Sequence, residues 1–294
     1  MASPTEPSAL VLAAKDGYAL AARLFGAEDL GSAKALLVVG PATGAPQRYY
    51  WRFARWFAGR GYAVLTFDYR GVGLSRLGSL RGFEADFVTW AERDLSAVLD
   101  WGLEHHPRVV MVGHSFGGQA WTMVPQARRT LGLVTFGTGT GWMGYMHVKE
   151  HPRLHLLWTF LGPFLVSLLG YLPSALLGLG ESLPRGVYRQ WRRWCARPRH
   201  FFDDPDSGMA RRGATVNRPV VAVTAVDDPW APLPSVKAFM SGLPAAPVRY
   251  EVVDPQTLGV SAIGHVAYFD KNVGARLWPL VEGWVEELLA FPAA

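Results

Sequence analysis

Apolar, largely β-branched runs alternate along this chain with longer segments in which apolar and polar positions have helical spacing. The apolar runs cover residues 35–39, 63–67, 109–112, 131–136, 219–226 and 248–253. Runs of this length are typical of strands that are covered on both faces, and the segments at 50–60 and 85–104 have the length of helices. Strands that alternate with helices predict a mostly parallel sheet flanked by helices on both faces.

The two ends of the chain complete this pattern. Residues 10–14 and 18–25 flank the turn sequence Lys-Asp-Gly at 15–17, which predicts an antiparallel hairpin. Residues 277–290 follow the last apolar run and predict a C-terminal helix.

A long segment before the run at 219–226 interrupts the alternation. Its residues 155–180 contain no Asp, Glu, Lys or Arg, and they are numerous enough to span a bilayer. Breaks at 162–163 (Gly-Pro), Gly170 and Pro173 divide it, and its flanks belong in water, so we predict a pair of short apolar helices instead of a membrane span. These helices either face an acyl or aromatic substrate or pack on each other.

A basic, tryptophan-containing helix is predicted at residues 189–199. Its arginines either form a solvated face above buried tryptophans, or attract a carboxylate, an anionic head group or a membrane surface. The acidic turn that follows, with Asp203, Asp204 and Asp206, lacks the ligand spacing of a calcium-binding loop. No other cluster of histidine, cysteine and carboxylate residues has metal-site spacing, so we expect no metal and no cofactor.

Composition and charge exclude several classes of protein. Half of the 294 residues are hydrophobic and 18% are charged, which indicates a packed protein. The formal charge of +5 comes with no lysine-rich run, so we expect no nucleic-acid partner. Cys195 is the only cysteine, which excludes an intramolecular disulfide. Residues 1–14 have no basic stretch ahead of a long apolar segment, and we therefore expect a cytoplasmic location.

The candidate chemistry begins directly after the run at 109–112. Residues 113–117, Gly-His-Ser-Phe-Gly, match G-x-S-x-G, a sharp strand-to-helix turn that exposes a serine hydroxyl at the top of a parallel sheet. Gly113 and Gly117 let the backbone pass close to its neighbours. We predict Ser115 as a nucleophile, and the alternative is a tight turn whose serine only caps the next helix.

A second motif precedes this turn. Residues 68–75 read D-x-R-G-x-G-x-S, and we interpret them as a buried polar turn with a structural role. This motif, the helix at 85–104 and G-x-S-x-G, in that order, resemble the α/β-hydrolase superfamily, with a layout similar to serine-aminopeptidase-like and lipase-like bacterial hydrolases. The resemblance implies an α/β-hydrolase fold with a mostly parallel central sheet, and a catalytic triad in the chain order serine, acid, histidine.

The resemblance directs the search for the two partners of Ser115. The run at 219–226 leads into Asp227 and Asp228. Asp228 precedes a proline, and its loop resembles the acid position of the family, so we favour Asp228 and assign Asp227 to capping the turn. Of the eight histidines, only His265 lies between the last predicted strand and the C-terminal helix, and we predict it as the base.

Two backbone amides are expected to bind the oxyanion of the reaction intermediate. The amide of Phe116, directly after the nucleophile, is one of them. The family usually has His-Gly where this chain has Gly40 and Pro41, and Pro41 has no N–H to donate. Ala42 is then the first candidate for the second donor and Thr43 the next, with the Thr43 hydroxyl as an additional donor.

The superfamily commonly inserts a cap over the active site, which predicts a division of this chain. Residues 1–140 and 215–294 are expected to form the α/β-hydrolase core, and residues 141–214 an inserted helical cap. The side chains expected to line a substrate pocket are those of His114, Trp142, Trp158 and Trp230.

Together, the residues and the resemblance predict a serine hydrolase that cleaves a carboxylic ester or related acyl bond of a small, apolar molecule through an acyl-enzyme. One alternative is an aminopeptidase or amidase of the same fold, which needs an acidic anchor for the amine of a peptide. The other is a non-catalytic, membrane-associated binding protein, since fold does not determine reaction in this superfamily. Peripheral membrane contact through the apolar cap is a further expectation.

Overall fold

The computed structural model describes residues 6–26 and 30–291. Within them, ten strands form one large sheet and one short ribbon. In chain order the strands are β1 (Ser8–Ala13), β2 (Ala19–Phe25), β3 (Leu36–Gly40), β4 (Ala63–Phe67), β5 (Val109–His114), β6 (Leu133–Phe136), β7 (Tyr171–Leu172), β8 (Leu183–Pro184), β9 (Val220–Ala225) and β10 (Val248–Val253). Each apolar run that predicted a strand corresponds to a strand of the large sheet.

The large sheet has the strand order β1-β2-β4-β3-β5-β6-β9-β10. β1 pairs antiparallel with β2, and β2 pairs antiparallel with β4. The other six strands of this sheet, β4, β3, β5, β6, β9 and β10, run parallel to one another. The predicted hairpin and the predicted mostly parallel sheet are therefore confirmed. Gly40 of β3 lies opposite Gly113 of β5, so the loops that follow these central strands meet at one edge of the sheet.

Helices cover both faces of this sheet. In the described part of the chain they are α1 (Trp51–Ala58), α2 (Phe87–Thr89), α3 (Ser96–His105), α4 (Phe116–Thr122), α5 (His151–Leu156), α6 (Gly162–Leu169), α7 (Arg185–Cys195), α8 (Met209–Gly213), α9 (Leu233–Met240), α10 (Pro255–Leu258) and α11 (Lys271–Ala290). A π-helical turn at Trp90–Leu95 joins α2 to α3. The C-terminal helix α11 begins earlier than predicted, because the Asp270 carboxylate caps it by accepting the amide N–H of Asn272 at 2.8 Å.

Alternate residues of β3 show how the two faces of the sheet are filled. Leu36 and Val38 belong to a hydrophobic core that includes residues of α2, α3 and α4. Leu37 and Val39 belong to a second core, on the other face, that includes residues of α1 and α11. All four side chains are fully buried, which explains why the strand reads as an uninterrupted apolar run.

The D-x-R-G-x-G-x-S motif forms a buried polar turn after β4, as the sequence predicts. The Asp68 carboxylate accepts the backbone and side-chain N–H groups of Gln47 at 2.6 and 2.8 Å. Arg70 forms ion pairs with Asp94 at 2.6 Å and with Asp16 at 2.7 Å. These contacts tie the turn to the neighbouring loop, hairpin and helix, which is a structural role.

Between β6 and β9 the chain leaves the large sheet and forms an inserted helical segment. After a short 3₁₀ turn at Met143–Tyr145, this segment contains one continuous helix, Val148–Leu169, in which a π-helical turn at Leu157–Leu161 joins α5 to α6. The prediction of two separate short helices is therefore wrong. Pro163 lies in the first turn of α6, directly after the π-helical turn, where its missing N–H does not end the helix. Only at Gly170, with a φ of 81°, does the helix end.

The remainder of the insertion packs on the core. Trp194 of α7 is buried, and its indole N–H donates to Asp204 at 2.9 Å. Arg193 forms ion pairs with Asp204 and Asp206 at 2.6 and 2.8 Å. The acidic turn is thus balanced by the basic helix before it. The exact limits of the cap, 141 and 214, stay a prediction.

Candidate active site

Ser115 lies in a strained turn at the centre of the sheet. β5 leads directly into it and α4 begins at the next residue, so Ser115 alone makes the turn, with a φ of 49° and a ψ of −112°. A non-glycine residue in such a conformation costs about 1–3 kcal/mol. Gly117, two residues after Ser115, makes the path possible, because a Cβ there would lie 1.9 Å from the carbonyl oxygen of Gly40. Close packing of β3 against the start of α4 thus holds the serine in place.

The side chains of Ser115, His265 and Asp228 follow one another at hydrogen-bond distance. The Oγ of Ser115 lies 3.1 Å from Nε2 of His265. The Nδ1 of His265 lies 2.9 and 3.0 Å from the two carboxylate oxygens of Asp228. The three residues follow β5, β9 and β10, whose carboxyl ends share one edge of the sheet. The structure therefore brings together the three residues that the sequence analysis selected.

Asp228 is held as a carboxylate. Its buried side chain accepts the amide N–H groups of Trp230 and Ala231, both at 2.9 Å, and the hydroxyl of Tyr268 at 3.2 Å. Burial by itself raises the pKa of this carboxyl, but His265 and the two amides outweigh it and hold the pKa below its ordinary value. A charged carboxylate keeps the proton of His265 on Nδ1 and leaves Nε2 free to accept one from Ser115.

The loop that carries His265 is held from two sides. The Asp227 carboxylate accepts the amide N–H of Ile263 at 2.9 Å and that of Gly264 at 3.0 Å. On the other side, the Tyr49 hydroxyl donates to the carbonyl oxygen of the residue after His265. The predicted role of Asp227 in capping its own turn is therefore not what these contacts provide: the carboxylate fixes the backbone of the loop from which the imidazole projects.

A directed chain of hydrogen bonds runs behind the site. Burial lowers the pKa of His114 to about 3, so its ring is neutral. Its Nε2 lies 2.8 Å from the carbonyl oxygen of His265, which only accepts, and this nitrogen therefore carries the proton. Its Nδ1 must then accept the hydroxyl proton of Tyr50 at 2.9 Å, and the Tyr50 oxygen accepts the amide N–H of Ala42 at 2.9 Å. The chain joins the loop after β3 to the loop of His265.

These hydrogen bonds change the assignment of the second oxyanion donor. The amide proton of Ala42, the first candidate from the sequence, is already donated to Tyr50. The Thr43 amide has no acceptor in the described part of the chain, and Thr43 lines the cavity in front of Ser115. Phe116 is the first residue of α4, where an amide has no acceptor within the helix. The available pair of amides is therefore that of Thr43 and Phe116.

Replacing Tyr50 with phenylalanine is expected to lower the free energy of unfolding by about 1–3 kcal/mol, because Nδ1 of His114 and the amide of Ala42 both lose their buried partner. Urea unfolding at neutral pH measures the change. Tyr69→Phe is the matched control, since the Tyr69 hydroxyl is buried with no hydrogen-bond partner in the described structure, and its loss should not destabilise the protein. Equal losses in the two variants would contradict the hydrogen-bond chain.

A cavity of about 380 Å³ opens in front of Ser115, within the range of small-molecule sites. Its wall is mostly apolar. The larger apolar and aromatic side chains on it are those of Tyr49, Leu179, Trp191, Trp230 and Val266. Among the described residues that line the cavity, Arg153, from the helix of the insertion, is the only one of the types Asp, Glu, Lys and Arg.

The wall differs from the predicted one. His114 and Trp230 lie on it, whereas Trp142 packs against a neighbouring tyrosine in its own loop. Trp158 stands behind Trp191, with the two ring centroids 4.9 Å apart, so Trp191 takes the place predicted for Trp158. Sequence reasoning missed Trp191, although Trp191 and Cys195 are four residues apart on α7 and both reach the wall. That spacing was the available signal.

Among the described residues, no group of three or more His, Cys, Asp and Glu side chains is arranged to hold a metal ion. The polar groups that face the cavity next to Ser115 are instead an imidazole, a hydroxyl and backbone amides. These are groups that transfer protons and stabilise a negative oxygen.

The chain is similar to known proteins in sequence and in fold. A sequence model of the alpha/beta hydrolase family matches residues 35–273. No curated protein is significantly similar in sequence. Among solved structures, a soluble variant of monoglyceride lipase from Saccharomyces cerevisiae, in complex with a substrate analogue, has a TM-score of 0.67 at 14% identity, over 98% of this chain and 97% of that chain.

Two further solved structures have the same fold. The alpha/beta hydrolase GrgF from Penicillium sp. sh18 has a TM-score of 0.64 at 18% identity, over 97% of this chain and 100% of that chain. A membrane phospholipase A, described as a bacterial virulence factor, has a TM-score of 0.58 at 16% identity, over 95% of this chain and 87% of that chain. At such identities the likeness concerns the fold.

Proposed function

Since this chain belongs to the alpha/beta hydrolase family, we propose that it is a serine hydrolase that cleaves a carboxylic ester or a related acyl bond. The observation that carries the proposal is the distance of 3.1 Å between Ser115 Oγ and His265 Nε2, with Asp228 within 3.0 Å of the other ring nitrogen. This is the arrangement in which a serine hydroxyl becomes a nucleophile at neutral pH.

In the first half of the reaction, Ser115 Oγ attacks the acyl carbon while its proton passes to Nε2 of His265. The negative charge that develops on the carbonyl oxygen is stabilised by the amides of Thr43 and Phe116. Asp228 stabilises the imidazolium and keeps its orientation. When the intermediate collapses, Nε2 returns the proton to the leaving alcohol oxygen, and the acyl group stays on Ser115 as an ester.

In the second half, water takes the place of the alcohol. His265 accepts a proton from the water, whose oxygen attacks the acyl carbon, and the same two amides stabilise the second oxyanion. Collapse returns the proton to Ser115 Oγ and releases the carboxylic acid. Each turnover therefore consumes one ester and one water and leaves the protein unchanged.

The cavity wall supports an apolar substrate over a peptide. An aminopeptidase needs a carboxylate to anchor the amine of its substrate, and no Asp or Glu is among the described wall residues. Trp191 and Trp230, stacked with centroids 5.9 Å apart, offer flat apolar surface beside His265. The substrate class that fits is an ester with an apolar acyl group.

The experiment is hydrolysis of p-nitrophenyl esters from acetyl to long acyl chains, together with labelling of the protein by a fluorophosphonate. We expect kcat/KM to rise by up to about fourfold for each methylene that enters the cavity, because each buried methylene contributes up to about 0.8 kcal/mol. We also expect a single phosphonyl group on Ser115, found by mass spectrometry of the digested protein.

Two variants locate the acyl group. Trp191→Ala is expected to reduce kcat/KM for the longer chains more than for the acetyl ester, because Trp191 lines the cavity. Trp142→Ala is the matched control, since Trp142 lies outside the wall, and its chain-length profile should equal that of the wild type. A protein that neither hydrolyses any ester nor reacts with the fluorophosphonate would refute the proposal.

A further inference from the structure

The helix Val148–Leu169 carries a row of exposed, large apolar side chains. These are Leu156, Phe160, Phe164 and Leu168, exposed to 53%, 61%, 64% and 61%. Residues four apart lie on successive turns of a helix, so the row extends for about 18 Å along one side. We call these four residues the ridge. Soluble proteins seldom expose so many large apolar side chains side by side without a binding partner.

The other side of the same helix is fixed to the protein. Leu154, Leu157, Trp158 and Val166 are buried in the hydrophobic core that lies beneath the insertion. By length and composition the helix qualifies as a membrane span, and 28% of its most apolar window is buried. A helix held in this way lies along a surface, with the ridge facing outward.

The N-terminal end of the ridge carries free positive charge. Lys149 is exposed and forms no ion pair with a described residue; Arg153 is exposed and unpaired as well, but it also borders the cavity in front of Ser115. Along the sequence, Glu150 is followed by no acidic residue until Glu181. The helix therefore carries Lys149, Glu150 and Arg153 at its start, a net positive charge, and no acidic residue after Glu150.

The C-terminal end is basic as well. Arg81 donates to the carbonyl oxygens of Leu168 and Leu169 at 3.3 and 3.2 Å, which places a guanidinium group beside the last ridge residue. Arg185 and Arg189 line a depression beside Gly170, whose wall also holds Glu84 and Asp86, and the Asp86 carboxylate accepts N–H groups of Thr89 and Gln190. Neither arginine forms an ion pair with a described residue.

We propose that the ridge docks on a lipid bilayer that contains anionic lipids, with the helix parallel to the membrane plane. The apolar side chains enter the boundary between head groups and acyl chains, while the basic residues at both ends meet anionic head groups. A second copy of the chain is a poorer partner, because ridge-to-ridge contact would bring the unpaired cations of both copies together. Docking concerns the outer side of the insertion and does not depend on the chemistry of Ser115.

The test is flotation of the full chain with vesicles of phosphatidylcholine, with and without phosphatidylglycerol. We expect binding that is stronger to the vesicles with phosphatidylglycerol. Phe160→Ser combined with Phe164→Ser should weaken binding by roughly tenfold for each phenylalanine removed. Arg185→Gln combined with Arg189→Gln should weaken binding to the anionic vesicles alone, by roughly fivefold for each arginine.

The control is Val11→Ser combined with Leu280→Ser, which removes two side chains of similar exposure, 76% and 48%, from other parts of the surface. It should bind like the wild type. Circular dichroism and thermal unfolding check that each variant is folded, so the result stands whether or not the protein hydrolyses esters. Absence of binding to either vesicle, or equal binding by the ridge variant, would overturn the proposal. The proposal would also be overturned if, in sedimentation velocity without lipid, the wild type were a dimer and the ridge variant a monomer.

Discussion

Ser115→Ala is expected to lower kcat for p-nitrophenyl esters by about 10⁶-fold, because the variant has no oxygen to form the acyl-enzyme. The variant keeps every other group near the reacting atoms, so its residual rate reports the contribution of substrate binding and of the oxyanion donors. Steady-state hydrolysis under saturating ester measures the effect, and covalent labelling by the fluorophosphonate should disappear with it. Full activity in the variant would move the chemistry to another residue.

Ser115→Gly offers a second variant that lacks the nucleophile but differs in stability. The backbone of Ser115, at a φ of 49°, strains any residue that has a Cβ, and alanine keeps this strain whereas glycine relieves it. We therefore expect the glycine variant to be inactive and yet to unfold at a higher temperature than the alanine variant. A glycine variant that is less stable than the alanine variant would contradict the strain at this turn.

Asp228→Asn is expected to lower kcat by about 10⁴-fold at neutral pH with little change in the fold. An asparagine presents an N–H donor in place of a carboxylate oxygen, which favours the tautomer of His265 that has its proton on Nε2. Nε2 then has no free electron pair for the proton of Ser115. Hydrolysis of p-nitrophenyl acetate, measured beside thermal unfolding, separates this loss from destabilisation.

Asp227→Asn is the matched control, because it changes the neighbouring aspartate in the same way. The Asp227 carboxylate accepts two backbone amides of the His265 loop and does not touch the imidazole. An asparagine oxygen can still accept one of them, so we expect a loss of about tenfold or less. Equal losses in the two variants would mean that the loop position, and not the charge on Asp228, governs the rate.

The strands and the order of the candidate triad were accessible from local sequence. Strands buried on both faces must be apolar along their whole length, so runs such as 63–67 and 248–253 are visible without any knowledge of the fold. The turn at Ser115 was visible because its path requires small residues at fixed spacing, and Gly117 indeed lies against the backbone of Gly40. Local constraints of this kind leave their mark on the residues that satisfy them.

The side-chain contacts around the site were not accessible in this way. The amide N–H of Ala42, the predicted oxyanion donor, is donated to the Tyr50 oxygen, and Tyr50 is held there by His114, which is 64 residues away along the chain. Trp191 of α7, and not Trp158, reaches the cavity, and the Trp158 ring packs against Trp191 with the two centroids 4.9 Å apart. The hydrogen bond between Ala42 and Tyr50 has no signature in the spacing of residues. The spacing of Trp191 and Cys195 shows that they share one face of α7, but not that this face meets the cavity.

The sequence by itself therefore determined the fold family, the mostly parallel sheet and the three residues that meet at its edge, because propensity, burial and backbone sterics act over a few neighbouring positions. Only the tertiary structure decided which amides are free, which tryptophan faces the cavity, and that Val148–Leu169 is one helix with its apolar ridge outward. A hydrogen bond or a packed face depends on groups brought together from distant parts of the chain. The same apolar residue is consistent with either side of a helix until its neighbours are known.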